Sequence, residues 1–154
     1  MEKVIIKDIE LQKASEEGMD AFVDVFVKHT RDLVGGELTA ETMPRLSADQ
    51  ITLLGYNILR DEVMNGGYIQ LIHNGYGGFI FMNPFARAMK EWGLVELARH
   101  IRKVIPLYKK YRDVLQFGSF YRGRCGDNIY EWTCVSPDKK KAVGMILQVL
   151  VNPN

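Results

Sequence analysis

Apolar positions recur at helical spacing through most of the chain and switch to alternation after Gln116, and this change of period predicts the fold. Met19, Phe22, Val23, Phe26, Val27 and Val34 return every three or four residues, which places them along one face of a helix. Ser15 reads as the N-cap of that helix, with Glu16 and Glu17 in its first turn at the positive end of the dipole and Gly35-Gly36 as its end. Ahead of it, residues 2–9 alternate weakly and form either an extended arm or part of a first helix. Residues 39–43 add one helical turn that Pro44 breaks. Ser47 followed by Gln50 has the spacing of a capping box, and Ile51, Leu54, Ile58, Leu59 and Val63 carry a long helix from there to Gly66-Gly67. A short helix over 68–73 closes at Asn74-Gly75, and residues 75–82 read as a buried loop or a short extended piece. Asn83 is the expected N-cap of a helix that has Pro84 in its first position and stops at Gly93. Leu94, Leu97, Ala98, Ile101, Val104 and Ile105 give another amphipathic helix, which Pro106 either kinks or ends. Residues 119–124, 129–135 and 142–151 are rich in aromatic and β-branched side chains, and turn-forming clusters separate them. The prediction is an α+β chain, with a mainly helical domain over 1–114 and a small three-stranded antiparallel meander over 115–154. The last strand is long and nearly all apolar, an aggregation hazard at a sheet edge unless it is covered.

Chemistry concentrates in residues 61–74, where Asp61, Glu62, Asn65, Gln70, His73 and Asn74 are interleaved with apolar positions. The glycine pair allows a positive φ or a close approach, at about 1 kcal/mol each inside a helix. Such a stretch suits a helical corner whose freed backbone groups are met by side-chain amides, and it suits a small polar pocket equally. His73 with Glu62 and Asn65 offers an acid–base or metal pair, although a lone histidine on a half-buried helix is more often a hydrogen-bonded structural residue.

Composition narrows the function classes. The chain has 154 residues, of which 47% are hydrophobic and 25% charged, as in an ordinary globular protein. No run of about 18 apolar residues exists and the N-terminus lacks the basic start of a secretory signal, so a soluble, cytoplasmic protein with no membrane contact is expected. Cys125 and Cys134 have neither CxxC nor metal-ligand spacing, and both are expected to be reduced and structural. The net charge of +1 conceals an asymmetry: residues 1–104 hold 15 acids and 12 bases, residues 105–154 hold 4 acids and 8 bases. The glycines at 75–78 have no phosphate-binding pattern, and Lys139, Lys140 and Lys141 read as a charged hairpin tip without the arginines or aromatic stripe of a nucleic-acid footprint. Trp132 and Tyr130 alternate onto one face and are expected in the core. No metal, cofactor or catalytic constellation is expected, nor direct contact with nucleic acid.

Glu62, Asn65, Gly66, Gly67, Tyr68 and Gln70, followed by Asn74, meet the pattern E-x-x-N-G-G-[aromatic]-x-Q. In this setting the sequence resembles the helical domain of the DNA-mimic protein family over about residues 11–112. The resemblance implies an all-helical domain that presents carboxylates in place of DNA phosphates to a DNA-binding protein. The family's acidic C-terminal continuation is replaced by a basic, β-rich tail. That tail, about residues 108–154, is similar to the C-terminal β region of family 36 α-galactosidases, whose catalytic aspartates belong to a barrel that has no counterpart here.

Two functional readings follow. In the first, a non-enzymatic interaction module uses an acidic helix face, with Glu16, Glu17, Asp20 and Asp24 as binding residues and Asp32, Glu37 and Glu41 beside them, to engage a DNA-binding regulator. In the second, a small enzyme or ligand-binding protein uses a pocket around Glu62, Asn65, Tyr68, Gln70, His73 and Asn74.

Overall fold

The computed structural model describes residues 3–36, 38–126 and 128–148, except for the side chains of Cys125 and Leu147. Glu2 of the expected N-terminal arm, Glu37 of the acidic face, Asp127 of the first hairpin turn and residues 149–151 of the last strand lie outside the described residues. The chain divides into two compact units, Met1–Ile58 and Leu59–Asn154.

In the first unit, α1 (Asp8–Glu17) and α2 (Met19–Leu33) replace the single helix expected to start at Ser15. Gly18, at φ 121° and ψ 176°, breaks the ladder between them, a conformation open to glycine and strained for any other residue. Ser15 therefore caps nothing; its hydroxyl donates to the Gln12 carbonyl inside α1. Two side-chain pairs tie the helices of this unit together. His29 Nε2 of α2 lies 3.0 Å from Glu10 Oε1 of α1, and Arg31 Nη2 donates to buried Asn57 Oδ1 at 2.7 Å. Val27, Val34, Leu46 and Leu54 form the core, with Val23, Leu33, Leu38, Ile51 and Leu53 packed around them. The expected turn over 39–43 forms, with Met43 N–H donating to the Thr39 carbonyl at 2.9 Å, and Pro44 sits inside a following 3₁₀ turn at Met43–Arg45, where its fixed φ is tolerated. The capping box forms as expected: Gln50 N–H donates to Ser47 Oγ at 3.1 Å and Ser47 N–H donates to Gln50 Oε1 at 2.7 Å.

That box opens α3 (Ala48–His73), whose path breaks at Gly66 and Gly67 and restarts at Tyr68. In the second unit the rest of α3 is followed by α4 (Gly77–Phe81), α5 (Phe85–Glu91) and α6 (Val95–Phe117). α4 replaces the loop or extended piece expected there, because burial of Ile80 and Phe81 rewards a helical turn that the local glycines disfavour. Its first residue, Gly77, lies flat on Tyr108, since a Cβ there would meet the ring at 2.6 Å. Asn83 is not an N-cap; its amide donates back to the carbonyl of Phe79 in the middle of α4. α6 continues through Pro106, which is exposed, so the carbonyl left without its N–H partner is on the solvent side.

The change from helix to strand falls at Gly118. β1 (Ser119–Gly126), β2 (Ile129–Val135) and β3 (Ala142–Gln148) form an antiparallel meander in the order β1-β2-β3. The register aligns Phe120, Cys134 and Val143 across the sheet, and next to them Arg122, Trp132 and Met145. Trp132 and Cys134 are buried, and burial pushes the Cys134 thiol pKa up. Leu71, Ile80, Met89, Ile101, Tyr108 and Val114 are likewise fully enclosed, so the core of this unit lies between its helices and one face of the sheet.

Candidate functional site

The break in α3 is built by two glycines acting differently. Gly67 has φ +71° and ψ −172°, and a Cβ on it would lie 2.3 Å from Met145 Cε of β3. At Gly66 the obstacle is Gln70, whose side chain folds back until its Oε1 is 2.1 Å from where a Cβ would stand. Bringing Gln70 inward lets its amide work at both ends. Nε2 donates to Glu62 Oε2 at 3.1 Å, and Oε1 accepts from Arg122 Nη2 of β1. Asn74 Nδ2 donates to the same Glu62 oxygen at 2.8 Å. The result is a chain of Asn74, Glu62, Gln70 and Arg122 that clamps the restart of α3 to the sheet. Arg122 is steadied further by Trp132, its cross-strand neighbour, with Cζ 5.8 Å from the ring centroid.

The motif residues thus separate into those brought together and those left apart. Glu62, Gln70 and Asn74 converge, and Gly66 and Gly67 make room for them. Tyr68 packs beside Phe81, with ring centroids 6.0 Å apart, and its burial raises the phenol pKa. Asn65 is exposed and makes no side-chain hydrogen bond among the described residues. His73 is not paired with Glu62: its ring stacks on Phe120 with centroids 4.9 Å apart, and its Nδ1 is buried without a hydrogen-bond partner among the described residues. Among the described residues no group of three or more His, Cys, Asp or Glu side chains could hold a metal ion. Asp61 is exposed and paired with its neighbour Arg60 at 3.1 Å. The side chains of Asn74, Glu62, Gln70 and Arg122 are directed at each other, an arrangement that fixes the backbone geometry of the corner.

Sequence reasoning missed Arg122, Phe120 and Met145. No local signal marks them, because their place depends on strand register and on the helix that the sheet packs against.

The acidic residues sit elsewhere. Glu16 and Glu17 end α1, so they lie at the negative end of a dipole and not in a first turn, and Lys13 reaches Glu17 at 4.0 Å. Asp20 is in the first turn of α2 and Asp24 follows one turn later. All four are exposed, as are Asp32 and Glu41.

In the second unit, then, helices and a three-stranded meander carry an asparagine–glycine–glycine corner clamped by a glutamate and a glutamine. Residues 44–133 match the family described as DMP19-like protein, and the chain belongs to that family. It is 31% identical over 94 residues to the DNA mimic protein DMP19 of Neisseria meningitidis serogroup B (strain ATCC BAA-335 / MC58), a stretch covering 61% of this chain and 54% of that protein. The chain therefore spans about half the length of this relative. The family match takes in the whole corner, Arg122 included, together with β1 and most of β2. α1, α2 and the acids they carry lie before it. No helix among the described residues is long and apolar enough to cross a membrane.

Proposed function

We propose that this chain is a non-enzymatic, cytoplasmic interaction module of the DNA-mimic kind, which engages a DNA-binding protein through exposed carboxylates. The observation that carries the reading is the segregation of charge. Residues 1–58 hold 11 acids and 6 bases, a net of −5, while residues 59–154 hold 8 acids and 14 bases, a net of +6. Glu16, Glu17, Asp20 and Asp24 stand exposed in the acidic unit and are the contact residues of this proposal. The name of the relative, a DNA mimic protein, supports it. These carboxylates precede the matched residues 44–133, so their assignment rests on charge and exposure.

The test is capture of purified DNA-binding regulators by the full chain. Contact between opposed, solvated charges is screened over about 8 Å at physiological ionic strength, so capture should weaken steeply as salt rises. Reversal of Glu16, Glu17, Asp20 and Asp24 to lysine should abolish it. A regulator held equally well at high salt, or by the reversed chain, would refute the assignment.

A further inference from the structure

The second compact unit carries a cationic strip that the reading above leaves unused. α6 buries Ala98, Ile101, Tyr108 and Leu115 and turns Arg99, Arg102, Lys103, Lys109 and Lys110 outward. Positions 99, 102, 103, 109 and 110 fall on one side of a helix of 3.6 residues per turn, and from the first to the last they span about 16 Å. Two acids accompany the strip on α6, and both are engaged: Glu96 holds Arg99 at 2.8 Å and Asp113 holds Lys141 at 3.3 Å. Arg102, Lys103, Lys109 and Lys110 make no ion pair among the described residues.

The Lys141–Asp113 contact has a second consequence. It brings the β2–β3 hairpin tip, with exposed Lys139 and Lys140, to the C-terminal half of α6. The lysine run that in sequence lacked any arginine beside it therefore extends a strip that contains two. Asp138 offsets one charge of the tip, acting on Lys141 through space, while its carboxylate accepts from the Ser136 hydroxyl at 2.6 Å and the Lys140 backbone N–H at 3.1 Å.

We infer that this strip binds the phosphate backbone of double-stranded DNA without reading its sequence. Lysine and arginine clustered along one helix face are the electrostatic footprint of backbone binding. Over about 16 Å B-form DNA carries roughly ten charges, enough to meet five to seven cations. A single strand would call for exposed aromatic rings on which bases stack. Between Arg99 and Lys110 none stands on the strip, since Tyr108 is buried and Tyr111 half-buried beneath Lys110, and exposed Phe117 at the end of α6 is a lone ring with no second one in series to hold successive bases. Insertion into a lipid surface needs an apolar face, and the exposed large apolar side chains between Arg99 and Lys110 come to Leu107. A second copy docking its acidic unit here would make a head-to-tail contact, which propagates unless a ring closes. The proposal is independent of the carboxylate assignment above, because it uses other residues and another ligand.

The test is fluorescence anisotropy of a labelled, mixed-sequence duplex of about 20 base pairs titrated with the full chain. With about five phosphates neutralised, affinity should fall roughly 500-fold between 50 and 200 mM salt. Lys103→Glu, Lys109→Glu and Lys110→Glu together should remove binding, with circular dichroism confirming an intact fold. Lys139→Glu with Lys140→Glu should weaken it by a smaller factor. The four acid-to-lysine reversals at 16, 17, 20 and 24 should leave duplex binding intact or tighten it, which separates this outcome from failure of the regulator-capture experiment. Absence of binding at 50 mM salt, or binding indifferent to salt or to the triple reversal, would overturn the proposal. So would triple-reversal-sensitive binding to phosphatidylglycerol vesicles, or self-association in sedimentation equilibrium, in a chain that ignores the duplex.

Discussion

Replacing Gly67 with alanine probes the break in α3. At φ +71° and ψ −172° the residue occupies a region essentially reserved for glycine, and holding a side-chain-bearing residue there costs of order 1–3 kcal/mol. The added Cβ would also stand 2.3 Å from Met145 Cε. That methyl is the end of a flexible side chain and can swing aside, which adds about 1 kcal/mol, the low end of the cost of overpacking. The sum is about 2–4 kcal/mol, and for a chain of this size it lowers the melting temperature by roughly 6–12 °C. His73→Ala provides the comparison. It removes the stack on Phe120 at 4.9 Å, a loss of about 1 kcal/mol, and takes away a buried nitrogen that has no partner among the described residues. Calorimetric melts of the parent, Gly67→Ala, His73→Ala, Met145→Ala and the Gly67→Ala/Met145→Ala pair give the answer. In the pair only the clash is relieved, so the double-mutant cycle should show a coupling of about 1 kcal/mol and leave the backbone cost in place. If Gly67→Ala melts within about 2 °C of the parent while His73→Ala falls further, the corner is not set by backbone geometry and the reasoning fails.

Three further expectations follow from the same structure. Gln70→Ala should strip one donor from Glu62 and an acceptor from Arg122, costing about 1–3 kcal/mol in urea denaturation, and Asn74→Ala, which removes one exposed donor, should cost less. Ser47→Ala should lose one half of the capping box and about 1 kcal/mol, read as a shift in urea midpoint at unchanged slope. Asp138 is held below the usual carboxylate range first by the Ser136 hydroxyl and then by the Lys140 N–H, and Asp113 first by its hydrogen bond from Lys141. Both pKa values are depressed on folding, so the stability these groups lend is present above the ordinary carboxylate range and disappears as pH falls through their lowered values. Carboxyl-detected NMR should find both titrating low, and Ser136→Ala should return Asp138 toward normal while Asp113 stays low.

Much of this was legible in the chain because it is encoded within a few residues. Ser47 and Gln50 announce their reciprocal cap three positions apart, Gly66-Gly67 mark the break in α3, and period-two segments with turn clusters between them give the meander. The motif also marked where the polar corner lies. Other features were decided by partners distant in sequence. A single glycine in a helical pattern can be absorbed at about 1 kcal/mol or can break the helix, and at Gly18 that choice split the expected helix and moved Glu16 and Glu17 to the end of α1. Residues 77–81 have a composition that disfavours helix, yet packing of Ile80 and Phe81 and the fit of Gly77 against Tyr108 make them one. Arg122 joins Gln70 across 52 positions, and Lys141 brings the hairpin tip to Asp113 across 28. Periodicity and capping are local energies, summed over a turn or two, and a sequence displays them directly. Which arginine completes a glutamate–glutamine clamp, and which lysines share a surface, depend on strand register and helix–sheet packing, and these exist only once the unit has folded.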